Sequence, residues 1–170
     1  MATIRLSKVS DAPNIIPLVN SVYETCEGHL WKPGHNRISS DVFDQYHQNR
    51  ELVVAEVNDE IVGCVRMGRM EGYREVAMLV VRPDIRGQRI GTQMMEWIER
   101  SARSDGCGWL EIELLYPKNQ PDRWKSSVRG WYERLGFRWD RDEDFGKYFP
   151  GFKDLLAMEC NFIVMKKQLE

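Results

Sequence analysis

Apolar positions along this chain alternate between a helical period and a strand period. Ile15, Leu18, Val19, Val22 and Cys26 recur at helical spacing after Ser10-Asp11-Ala12-Pro13, where a capping oxygen precedes a proline in the first turn. A first helix reaching about Cys26 is predicted, and Ser39-Ser40-Asp41 opens a second, short one through Val42, Phe43 and Tyr46. Ile90, Met94, Trp97, Ile98 and Ala102 form a third stripe, ended by Gly106 and Gly108. Trp124, Val128, Trp131 and Leu135 form the fourth, with Gly136 where a left-handed C-cap is wanted.

Between these stripes lie β-rich runs at residues 3–6, 52–57, 61–67, 73–82 and 109–115, with closing strands near 137–141 and 156–165. Asn58-Asp59-Glu60 joins the second and third runs as a tight hairpin. Residues 24–37, carrying Gly28, Pro33 and Gly34 among Trp and His, read as an ordered loop. Asp140 to Asp144 reads as a solvated hairpin turn. The order predicts an α/β (α+β) fold, its strands first antiparallel and then crossed by helices. At 170 residues the chain suits one domain spanning residues 1–170.

Composition removes several function classes. Lys and Arg number 24 against 26 Asp and Glu, a net charge of -2, and no basic-aromatic stripe appears, which speaks against a nucleic-acid partner. No run of about 18 apolar residues offers a membrane span. The start, Met1-Ala2-Thr3-Ile4-Arg5, lacks the apolar stretch of a signal peptide and predicts a cytoplasmic chain. Cys26, Cys64, Cys107 and Cys160 are scattered, as packed, reduced thiols are. Cys26, His29 and His35 lack a fourth ligand at suitable spacing, so no metal site is expected. Trp97, Trp109, Trp124, Trp131 and Trp139 read as core residues.

The strongest chemistry lies in the turn from Val81 to Thr92. A strand leads into Arg82-Pro83-Asp84-Ile85-Arg86-Gly87-Gln88-Arg89-Ile90-Gly91-Thr92 and then a helix. A helix start leaves its first N–H groups unpaired at the positive end of the dipole. Gly87 and Gly91 remove Cβ atoms where a phosphate would approach, while Arg86 and Arg89 add charge. That is an anion cradle suited to a pyrophosphate; an ordinary turn with solvated arginines is the alternative. P-loop and Rossmann fingerprints are absent.

The segment Val80 to Gly91 resembles the acetyl-CoA pyrophosphate loop of the GNAT superfamily of N-acetyltransferases, whose motif is Gln/Arg-x-x-Gly-x-Gly/Ala. Trp131-Tyr132-Glu133-Arg134-Leu135-Gly136-Phe137 resembles that family's second signature, and the element order matches along nearly the whole chain. Two departures stand out. Arg89 occupies the first motif glycine, and Lys125 occupies the place of a frequent asparagine, with Asn119 nearby as a substitute pantetheine contact.

The resemblance implies a mixed central sheet of about six or seven strands, splayed around a CoA cleft and flanked by about four helices. It implies acetyl transfer from acetyl-CoA, with no metal, to a primary amine, and a small-molecule acceptor fits the Trp- and Pro-bearing loop at 28–37. A peptide acceptor and a non-catalytic acyl-CoA-binding module are the alternatives. Edge strands of such a sheet can pair between copies, which is compatible with a homodimer.

Such chemistry needs a base, because an amine of pKa near 10.4 is only about one part in 2,500 neutral at pH 7. Glu75, eleven residues before Arg86, takes that role by resemblance, acting through water rather than touching the amine, on the strand face shared with Ala77, Leu79 and Val81; it reads equally as a solvated charge. Tyr132, one position off the apolar stripe, is the acid for the departing thiolate, or else a core-edge aromatic. Backbone N–H groups of Leu79, Val80 and Val81 would serve the oxyanion and the pantetheine. Arg86, Gly87, Gln88, Arg89, Ile90, Gly91 and Thr92 would hold the phosphates. Glu27, Trp31, Glu111 and Glu113 are candidate acceptor contacts, though Glu111 and Glu113 also read as an exposed strand face and Trp31 as a loop anchor.

Overall fold

The computed structural model describes residues 1–170. In chain order the elements are β1 (Thr3–Leu6), α1 (Ala12–Glu27), α2 (Ser40–Gln48), β2 (Leu52–Val57), β3 (Glu60–Met70), β4 (Tyr73–Val81), α3 (Ile90–Ser104), β5 (Trp109–Pro117), α4 (Arg123–Arg134), β6 (Arg138–Asp144), α5 (Phe145–Tyr148) and β7 (Cys160–Gln168). The strands form one seven-stranded sheet in the order β1-β2-β3-β4-β5-β7-β6. Every neighbouring pair is antiparallel except β4 with β5.

Helices cover both faces. On one, Met94, Ile98 and Ala102 of α3 and Tyr132 of α4 pack on Val53, Val65, Val76, Leu110 and Ile112. On the other, Ile15, Val19 and Val22 of α1 and Phe43 of α2 pack on Leu52, Val54, Cys64, Met78 and Val80. The alternation of Leu52, Val53, Val54 and Ala55 between the two cores is the strand period at work, which is why β2 reads as continuously apolar.

Two irregularities position the site. The parallel β4–β5 pairing runs only from Tyr73↔Trp109 to Val76↔Ile112; beyond it the strands diverge, and β5 continues on β7 alone. The facing edges of β4 from Ala77 and of β5 from Glu113 are left without each other's hydrogen bonds. Within β4, Met78 takes φ +56 and the register with β3 shifts. This bulge inverts the strand's parity. Val76 faces the α3 core, but Val80 faces α1, and Leu79 and Val81 turn back to the α3 side. Simple alternation, which puts Glu75 on one face with Ala77, Leu79 and Val81, therefore holds only as far as Ala77.

Other departures are local. Asp11 is the N-cap residue of α1, but its side chain makes no capping bond to that helix; it is buried, accepts from the Lys8 amide at 2.7 Å and pairs with Arg5 at 2.8 Å. Residues 140–144 belong to β6 rather than a turn, with Asp140, Glu143 and Asp144 paired with Arg141, Lys166 and Lys118. The one-turn α5 is a fifth helix that no apolar stripe announced. Trp124 and Trp139 are exposed rather than core. No helix is long and apolar enough to cross a membrane.

Candidate active site

The wedge between β4 and β5 opens into a cavity of about 470 Å³, lined by Val76 to Val81, by Glu113 and Leu114 of β5, by Tyr23, Cys26 and Glu27 of α1, and by α4 from Trp124 to Tyr132. Leu79, Val80 and Val81 line it as expected, on the stretch of β4 that β5 has left.

At one mouth stands the turn into α3. Arg86, Gly87, Arg89, Ile90, Gly91 and Thr92 line the cavity; Gln88 does not, and its amide is turned inward to the Ile85 carbonyl. Gly87 sits at φ +87 with nothing within 4 Å of where a Cβ would stand, so its backbone is open to a ligand. Gly91 lies against Trp131, 3.4 Å from that position, letting α3 and α4 converge. Arg89 caps α3 in the left-handed region at φ 60, the conformation that explains why a glycine is usual there. Arg86 reaches across the mouth: its Nη2 lies 3.7 Å from Cys26 Sγ and its guanidinium 4.8 Å from the Trp124 ring.

Tyr132 is 6% exposed and lines the cavity, its ring set edge-on to Phe137. Burial raises its phenol above the ordinary value, with Tyr23 adding to the rise, so it carries its proton at neutral pH.

The carboxylates sort differently from expectation. Glu75 does not line the cavity; it pairs with Arg66 at 3.0 Å, and Arg66 is shared with Glu51 and stacked over Tyr46. Glu111, opposite Glu75 in the parallel register, is buried rather than exposed and lies 3.7 Å from both Arg141 and Lys166. Glu113, two residues on and past the last β4–β5 pair, lines the cavity with no ion-pair partner. Burial pushes its carboxyl up to about 7, with Glu75 and Glu111 adding to the rise and Arg141 opposing it. Glu27 lines the cavity too, but it is spent on Lys125 and on the Trp31 indole at 3.4 Å.

Asn119 falls outside the wedge, in a separate pocket with Lys118, Gln120 and Asp142. The proline-bearing insertion carries it away, and Lys125 holds the cavity position instead, 4% exposed. Sequence reading passed over Lys125 as a site residue, although its position seven before Tyr132 marked it. Trp31 is an anchor: it stacks on His35 with centroids 4.0 Å apart and bridges to Leu156. Cys26, His29 and His35 do not converge, for His29 bonds Asp122 at 2.9 Å while His35 lies under Trp31.

A model of the acetyltransferase (GNAT) domain matches residues 48–139, more than half of the chain. Among solved structures, an N-acetylglutamate synthase from Neisseria gonorrhoeae, complexed with coenzyme A and N-acetyl-glutamate, superposes with a TM-score of 0.73 at 19% identity. That match covers 100% of this chain and 35% of the synthase, so the present chain spans about a third of that relative's length. A ribosomal-protein-alanine N-acetyltransferase from Brucella melitensis gives 0.72 at 19% identity over 98% of this chain and 99% of the other. PaiA N-acetyltransferase from Thermoplasma acidophilum, in complex with coenzyme A, gives 0.67 at 13% identity over 99% of each chain. With the splayed strands, the open Gly87 turn and the buried tyrosine in place, the domain match shows that this chain belongs to the GNAT acetyltransferase family.

Proposed function

We propose that the protein transfers an acetyl group from acetyl-CoA to a primary amine of a small molecule, with Glu113 as proton acceptor and Tyr132 as proton donor. The observation carrying this reading is that an unpaired carboxylate and a protonated buried phenol line one cavity, at the point where two parallel strands part.

The residues present fit the donor. Unpaired strand edges offer amides to a pantetheine chain, as an added strand would. Gly87 and the start of α3 offer N–H groups and a positive dipole to a diphosphate, with Arg86 and Arg89 adding charge. When bound, acetyl-CoA supplies an activated acyl carbon. The chain's own groups then do the rest. Amides near the Met78 bulge donate hydrogen bonds to the carbonyl oxygen as its negative charge develops, a contribution of roughly 2.7–4 kcal/mol in comparable sites. Glu113 takes the proton that the amine nitrogen loses as its bond to the acyl carbon forms, and releases it to solvent before the next turnover. Tyr132 gives its proton to the sulfur as the carbon–sulfur bond breaks, and regains one from solvent.

A small acceptor is favoured over a peptide by the loop on the acceptor side. Trp31 is held by His35, Phe145 and Glu27, and Asn20 clamps Ile38 through two hydrogen bonds, so the loop beside the end of α1 is tied down rather than free to open around a peptide. Purified protein given acetyl-CoA and a panel of amines should release thiol with a small amine. Coenzyme A binding without thiol release across that panel would refute the enzymatic reading.

A further inference from the structure

We infer that Trp124 is a positioning residue for the acyl donor: its indole holds the Arg86 guanidinium at the cavity mouth, in readiness for a diphosphate. The inference rests on the transferase reading above, in which the donor is acetyl-CoA.

Trp124 is 40% exposed and packs into none of the three hydrophobic cores, so burial does not account for its place. Its ring centre lies instead 4.8 Å from the guanidinium carbon of Arg86, and both residues line the cavity. The backbone is fixed on each side of this contact. Asp122 caps α4 by accepting from the Lys125 amide at 2.9 Å, which sets the first turn, where Trp124 stands. The Arg86 amide closes the short turn before it, donating to the Pro83 carbonyl at 3.4 Å. With Cys26 Sγ 3.7 Å from its Nη2, the Arg86 side chain touches both α1 and α4.

The other two arginines of this turn are committed elsewhere. Arg82 pairs with Glu60 at 2.9 Å and with Asp84 at 2.7 Å, while Arg89 lies 3.8 Å from Glu96. Arg86 meets only a π face and a thiol. That difference matters for an anion. A carboxylate partner would neutralise the guanidinium and compete with an incoming phosphate. An indole attracts the cation without cancelling its charge. A guanidinium already in place also loses less rotamer freedom on binding than one recruited from solvent.

The test is a double-mutant cycle on Trp124 and Arg86, two exposed side chains whose replacement leaves the cores intact. Calorimetry would measure binding of coenzyme A, its 3′-dephospho form and 4′-phosphopantetheine, which keeps a phosphate but lacks adenine. Trp124→Leu should weaken coenzyme A binding by roughly 3- to 10-fold, between the exposed and desolvated values of a cation–π contact. Arg86→Met should weaken it by roughly 10- to 100-fold, as loss of a charged hydrogen bond does. In the Arg86→Met background, Trp124→Leu should add less than about 2-fold, within the additivity error of such cycles. The Trp124→Leu loss should be the same for all three ligands, and Trp124→Tyr should restore most of it.

A Trp124→Leu loss that persists undiminished in Arg86→Met would overturn the inference, as would no loss at all. A loss confined to the two adenine-bearing ligands would overturn it too, making Trp124 a platform for the base. Parent protein that binds none of the three ligands would fell the donor reading and this inference together, whereas the other failures leave the donor reading standing.

Discussion

Lys125 and Glu27 form an ion pair across the cavity wall, with side chains only 5% and 11% exposed. The pair ties the end of α1 to the start of α4, where Asp122 caps the helix through the Lys125 amide at 2.9 Å and holds His29. Two buried charges gain little net stability from each other, but removing one strands its partner. Lys125→Met should therefore cost about 3–5 kcal/mol in denaturant unfolding. The double replacement Lys125→Met with Glu27→Leu should recover most of that loss; a double variant as unstable as the single one would show that the pair stabilises in its own right.

Tyr132 lines the cavity while its ring packs against Trp131 and Phe137. Tyr132→Phe keeps the ring, so folding stability should change by less than about 1 kcal/mol. kcat should fall by about 10²-fold or more, the ordinary worth of a positioned proton donor. Single-turnover measurements would isolate the chemical step, and an unchanged rate there would remove Tyr132 from the mechanism.

Gly87 occupies φ +87, a region an L side chain enters only with strain, yet an added methyl would meet nothing within 4 Å. Gly87→Ala should cost about 1 kcal/mol of stability through the backbone alone. It should also weaken coenzyme A binding, because the methyl would stand where the phosphates approach. Calorimetry on the variant checks both the affinity and, against dephospho fragments, whether the loss lies at the diphosphate.

Most of the fold was legible from period alone, because each helix and strand buries a face against the sheet and must show it in sequence. The strand-to-helix turn at the cavity mouth was legible too, since Gly87, Arg86 and the change from strand to helix are local features. What failed depended on geometry that no period records. The bulge at Met78 is one residue in a left-handed conformation, and methionine gives no warning of it. Glu75 and Glu113 are both acids on half-buried strands, and only the ion pair to Arg66 and the end of the β4–β5 ladder tell them apart. Asn119 lies away from the cavity because an insertion displaces a motif without erasing it.

Glu113 makes the sharpest pH prediction. Its carboxyl titrates near 7 in the folded chain, raised by burial and then by Glu75 and Glu111, against an ordinary value of 4.5. As a proton acceptor it works only when ionised, so kcat at saturating acceptor should rise with pH through about 7 and level off above 8. Stability should move the other way. A carboxyl raised on folding contributes fully below its unfolded value, and that contribution is lost as pH climbs from about 4.5 past about 7. Glu113→Gln should flatten both curves: kcat falls roughly 10²- to 10⁴-fold with the rising limb gone, while stability at pH 8 increases relative to the parent chain. Pairing the pH–rate profile with denaturant unfolding at pH 5 and pH 8 separates this residue from Glu75, whose Gln variant should leave the rising limb in place.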